Sequence, residues 1–233
     1  MPKQDKIIVA EHVLEIRHEA SGNFLDVRGR IADYFKKESL FPHWQIDNNV
    51  INFRDKADKI EKEGAFVGYK SFGYVVLDSP TMNYFPDKAN LFIKKLMKFK
   101  EYHPENFLRF GVRSKFFVPT QLSFEDINKS MLAGIFSEKF LKLIGGNQTD
   151  QQFILELKEK GFDIRILGGP LHKDEVKNYM LFDSKEFSKT GIFLDLDFYQ
   201  THSLNESNFA SLINDSVSLT WNKAEQIVSG LGF

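Results

Sequence analysis

Between Phe107 and Val118 the chain alternates with period two. Leu108, Phe110, Val112, Phe116 and Val118 fall on one side, and Arg109, Arg113 and Lys115 on the other. Such a segment has one dry face and one wet face. It belongs in an antiparallel sheet covered on one side only, because strands buried on both faces read as unbroken apolar runs. Pro119 removes a backbone donor and ends the run. Ile192–Tyr199 repeats the pattern, with Ile192, Leu194, Leu196 and Phe198 opposite Asp195 and Asp197. The stretch Ile7–His18 alternates too and sets Glu11, Glu15 and Arg17 in one row. These segments predict an α+β fold: antiparallel strands with amphipathic helices packed on one face.

The helices have their own period. Phe24, Val27, Ile31, Tyr34 and Phe35 recur at three and four residues, predicting a helix over 24–37 capped by Asn23. A second is expected over about Asp87–Tyr102, and a third from Ser123 to Ile144, with Asp126 closing a capping box and Gly145-Gly146 ending the helix. The last spans about Glu206–Ser229, with Ser203 and Glu206 as its capping pair. Trp44–Ile46 and Val50–Phe53 flank Asp47-Asn48-Asn49, residues that tolerate the tight turn of a hairpin. Ala65–Leu77 reads as extended, bent at Gly68 and Gly73. Phe162–Leu167 reads as a strand broken by Gly168-Gly169-Pro170, and Asn178–Phe182 as a further short one. Thr149–Lys160 fits a helix through Phe153, Ile154 and Leu157, and equally a strand through Phe153, Leu155 and Leu157. The element order repeats from about Pro104, with an extra strand the second time. Two halves resembling split βαβ units follow, 1–103 and 104–233, packed as one body.

Composition narrows the function classes. A formal net charge of −1 provides no global field for nucleic acid or an anionic membrane. The absence of cysteine removes disulfides, thiolate zinc sites and cysteine nucleophiles together. Met1 to Lys6 is polar, the apolar run after it is too short for a signal-peptide core, and nothing approaches the ~20 apolar residues that span a bilayer. The expected location is the cytoplasm, with no membrane partner. The 24 phenylalanines point to an aromatic core.

The informative chemistry is distributed. Arg54 ends the hairpin, Lys70 sits in the middle segment, and Asp163 and Arg165 share a row. If helices cover one sheet face, these charges and those of the other strands gather on the opposite one. The plainer reading is a solvated face with cross-strand ion pairs. The sharper one is a concave surface or tunnel that binds an anionic ligand or a charged partner through Arg17, Arg109, Arg113, Lys115 and Arg165. Asp195 and Asp197, two apart on a strand, point the same way, and with Glu15 are the candidate ligands for Mg²⁺. No Gly-rich phosphate loop accompanies them, and no histidine pair has metal-ligand spacing. Lys88, Lys94, Lys95, Lys98 and Lys100 form a basic helix face able to meet nucleic-acid phosphates.

Val13-Leu14-Glu15-Ile16-Arg17, Arg109-Phe110-Gly111-Val112-Arg113 and Phe193-Leu194-Asp195-Leu196-Asp197 together resemble, in order and spacing, a sporadically distributed family of uncharacterised bacterial proteins. In that family the middle strand continues with an aromatic and often Asn, where Ser114 and Lys115 stand here. The patchy distribution implies an accessory role, of the defence or toxin–antitoxin kind. A weaker likeness is to triphosphate-tunnel enzymes, whose opening strand alternates Glu, Glu, Lys; Val13 stands here where the first Glu of the Glu15–Arg17 pattern belongs. The leading expectation is a non-enzymatic accessory or interaction protein with a protein partner and no cofactor. The alternatives are a Mg²⁺-dependent phosphohydrolase or nucleotide- or polyphosphate-binding protein, and a nucleic-acid binder using the lysine helix.

Overall fold

A computed structural model describes residues 8–233. Ile7, where the first strand was expected to start, and the polar run Met1–Lys6 lie outside the described residues. Nine strands form one antiparallel sheet: β1 (Val9–His18), β2 (His43–Ile46), β3 (Val50–Arg54), β4 (Glu63–Gly68), β5 (Ser71–Val76), β6 (Phe107–Pro119), β7 (Phe153–Glu159), β8 (Phe162–Leu171) and β9 (Gly191–Gln200). Their spatial order is β2-β3-β4-β5-β1-β6-β9-β8-β7. The helices α1 (Asn23–Lys37), α2 (Tyr84–Lys98), α3 (Phe124–Ile135), α4 (Glu138–Ile144) and α5 (Phe209–Gly230) complete an α+β fold, with helices packed on one face of the sheet. Among the described residues no helix is long and apolar enough to cross a membrane.

One set of alternate strand residues builds the core. Leu14 and Ile16 of β1, Phe110, Val112 and Phe116 of β6, and Leu194, Leu196 and Phe198 of β9 are buried under the helices. Phe35 of α1 packs on Phe53 of β3 at 5.0 Å and on Phe92 of α2 at 5.3 Å between ring centroids. Each such ring removes a large apolar area from water at the cost of only two side-chain torsions. His12 and His18 share this buried face. His12 Nδ1 lies 2.8 Å from Ser114 Oγ, and His18 meets the Glu19 carbonyl and the Tyr102 hydroxyl.

β1 pairs with β6 at the centre of the sheet. Outward from that seam run β5, β4 and β3 on one side and β9, β8 and β7 on the other. Residues 63–76 form a hairpin and not one bent segment, so five strands precede residue 104 and four follow it. Gly73 is no bend: it sits mid-strand opposite Glu15 and Phe66.

Several other local expectations change. Asn23 does not cap α1; its amide donates to the Glu101 carbonyl. The third helix breaks at Phe136-Ser137 into α3 and α4, each with a serine cap. The α5 region is entered through a capping box of Asn205 and Asn208, with Ser203 at positive φ. Thr149–Lys160 resolves as strand β7, and β8 runs through Gly168-Gly169-Pro170 to Leu171. The stretch 178–182 is not a strand. It belongs to a strap, residues 172–190, that carries 3-10 turns at Glu175–Asn178 and Lys185–Ser188. Val176, Met180 and Phe187 of the strap pack on Val9, Phe117, Leu171 and Phe193, a second small core on the side of the sheet away from the helices.

Candidate functional site

The site grows from the residues that alternate with the core set. On β1, β6 and β9 these are Glu11, Glu15 and Arg17; Arg109, Arg113 and Lys115; and Asp195 and Asp197. The register places Glu11 beside Lys115, Glu15 beside Gly111, and Arg113 beside Asp197. The ion pairs do not simply follow the rungs. Lys115 lies 2.9 Å from Glu11, directly across. With Lys115 taken, Asp195 turns to Arg113, which grips it with two nitrogens at 2.8 and 2.5 Å. Asp197, left free by Arg113, receives Arg109 at 3.0 and 3.2 Å. Arg109 also approaches Glu15 at 3.7 Å, and Glu15 holds Arg17 at 2.7 Å. Arg113 thus reaches the carboxylate two residues from its own rung, Arg109 crosses Gly111 to the rung of Arg113, and Lys115 pairs directly across, so the ion pairs spread over three strands.

Glycine makes the lattice possible. A side chain at Gly111 would meet the Arg109 guanidinium 2.4 to 3.1 Å away. Arg109 therefore lies flat over Gly111 to reach Asp197, with its guanidinium 4.9 Å from the centre of the Tyr199 ring. On the other flank the Phe66 ring lies where a Gly73 side chain would be. Glu15, set between two glycines, is the pivot of the surface.

Charge and burial tune these groups. Burial pushes the Asp197 carboxyl above its usual range, and Arg109 and Arg113 offset only part of that. The hydrogen bond to Asp195 raises Arg113, and the one to Glu15 raises Arg17. These arginines stay charged, held by carboxylates of the same chain.

The expected site residues separate into groups. Arg17, Arg109 and Arg113 come together with Glu15, Asp195 and Asp197. Arg165 stands at the margin, opposite Asp197 in register and 4.0 Å from Glu156. Lys115 belongs to the same row but lies under the strap, bound to Glu11 and to the Tyr179 carbonyl. Arg54 sits far out on β3, hydrogen-bonded to Gln45 and the Asp58 carbonyl. Among the described residues no three His, Cys, Asp or Glu side chains are grouped so as to hold a metal ion. Of the lysine helix, Lys88 is paired with Glu63 and Lys95 with Glu38.

Two features had no sequence signal. Glu63, half-buried, accepts hydrogen bonds from Tyr74, Tyr84 and Lys88, which outweigh the upward push of burial and hold its carboxyl below the usual range. Burial, then the Glu63 contact, lifts Tyr84 to about 12. The knot fixes the first turn of α2 to β4. The second is the strap, whose Leu181 N–H donates to Glu11 at 2.6 Å. Between the strap and the β3–β4 loop lies a cavity of about 980 Å³, walled by Met180, Leu181 and Phe182 on one side and Lys59, Ile60 and Lys62 on the other.

No family model and no curated protein matches the sequence.

Proposed function

We propose that this chain is a non-catalytic cytoplasmic accessory protein that docks a protein partner on the open, ion-paired face of its sheet. One observation carries the reading: Glu15, Asp195 and Asp197 are each already engaged by an arginine of the same chain, and Glu11 by Lys115. Arg17, Arg109, Arg113, Arg165 and Lys158 stand against Glu15, Asp195, Asp197, Asp163 and Glu156 on this face. A phosphate would have to displace a bidentate carboxylate from Arg113, and a divalent cation would have to displace an arginine from Asp195 or Asp197. A field of paired charges of both signs suits a protein surface of complementary pattern, where charge sets specificity and register more than affinity. The resemblance to a patchily distributed bacterial family supports a role in an accessory locus of the defence or toxin–antitoxin kind.

The test is quantitative capture from source cells with the wild-type chain and with the exchange Arg113→Asp/Asp195→Arg. The exchange keeps the pair but inverts the pattern. A partner retained by the wild type and depleted at least about tenfold by the exchange is expected, with the melting temperature little changed. Identical captured sets would remove the docking role from this face.

A further inference from the structure

We infer that a second copy of this chain pairs with strand β7 in antiparallel fashion, about a two-fold axis perpendicular to the sheet at Leu157. β7 is the outermost strand, and among the described residues no strand lies beyond it. Its pairing with β8 is unbroken from Phe153 opposite Gly168 to Glu159 opposite Phe162, so no bulge twists the edge away. It contains no proline, and its seven residues exceed the four of β2 at the opposite edge. Ile154 and Leu155, large apolar side chains, are about half exposed, at 55% and 53%. A long, regular, partly apolar edge is a template for another strand.

The charge order on β7 selects the occupant. Glu156 and Lys158 point to the open face, two apart, with Leu157 between them. A two-fold axis at Leu157 sets Glu156 against Lys158 of the second copy, and Lys158 against its Glu156. An axis at Glu156 would set carboxylate against carboxylate, and one at Lys158 ammonium against ammonium. An axis at Leu155 would face the two charges with Ile154 and Gln152. Directly opposed unlike charges stabilise an antiparallel pair, and like charges destabilise it. Within the chain Lys158 reaches Asp163 at 3.0 Å and Glu156 stands 4.0 Å from Arg165, yet both remain mostly in water and free to take a second partner. In the paired state the open faces of the two copies become one surface. This association does not depend on the docking role proposed above.

The test uses sedimentation equilibrium and cysteine trapping on the full chain. The native sequence has no cysteine, so a single one reports alone. Leu157→Cys is expected to give a disulfide-linked dimer on mild oxidation, because directly opposed Cα atoms lie about 4.5–5.5 Å apart, within disulfide reach. Leu155→Cys is expected to give none, its Cα atoms being roughly 14 Å apart at that register. Glu156→Lys should weaken self-association at least about tenfold, and Glu156→Lys/Lys158→Glu should restore it. Leu155, Glu156 and Lys158 are exposed and Leu157 packs partly against the core, so the fold of each variant is checked by circular dichroism and melting temperature. A wild-type chain that remains monomeric overturns the inference. So does trapping at 155 and not 157, or a double variant no better than the single.

Discussion

Two glycines flank Glu15, and their substitution should have unlike effects. At Gly73 a methyl group would sit 2.1 Å from the Leu14 carbonyl oxygen, and backbone must move. Gly73→Ala is expected to cost about 1–3 kcal/mol, read by urea unfolding. At Gly111 the obstacle is the end of the Arg109 side chain, which can swing away. Gly111→Ala should cost under about 1 kcal/mol while breaking the Arg109–Asp197 pair. Arg113→Ala belongs in the same range, because its side chain is 53% exposed. His12 makes the fold sensitive to acid. Burial lowers it from 6.5 to about 3, so the native state keeps it neutral while the unfolded chain takes up a proton. Its contribution is complete above pH 6.5 and is lost as the pH falls toward 3, at up to about 1.4 kcal/mol per unit. His18, lowered first by burial, acts in the same direction. Unfolding midpoints between pH 6.5 and 5 should therefore drop, and His12→Gln should flatten the slope.

The strap shows what an element owes to a single ion pair. Glu11 is buried and Lys115 nearly so, each binding strap backbone as well as the other. Glu11→Ala leaves a largely buried ammonium group without its anion, a loss of about 3–5 kcal/mol. Hydrogen exchange at the Leu181 amide should accelerate more than at the β6 core amides; equal protection in both proteins would show that the apolar contacts hold the strap alone. The strap was illegible in the sequence because its anchors are 170 residues apart in the case of Leu181 and Glu11. Strands with clean alternation were legible: β6, β9 and most of β1 lie where their pattern put them. The exceptions have local physical causes. Phe107, not Leu108, enters the core, because the register slips between Arg17 and His18 and the extra residue, Leu108, turns outward to 52% exposure. Pro170 is tolerated in β8 because β7 begins opposite Gly168, leaving residues 169–171 paired on the β9 side alone. Gly168 lies beneath the Phe153 ring, a close approach and not a break.

At the scale of the whole molecule, side-chain parity proved more informative than motif. The charged rows of β1, β6 and β9 share the face away from the helices because each strand buries its other row. That convergence was readable from alternation alone. Which cation meets which carboxylate was not, since the offset pairing of Arg113 and Arg109 follows from the strap's claim on Lys115 and from the missing side chain at Gly111. If the arginines answer the chain's own carboxylates, they have little to offer a phosphate. The direct measurement is the melting temperature of the wild-type chain and of Arg113→Ala across nucleoside triphosphates and inorganic polyphosphate, each with and without Mg²⁺. The matched lattice predicts no ligand-dependent shift in either protein. A rise of several degrees in the wild type that vanishes in Arg113→Ala would contradict it, and would make the open face an anion-binding site.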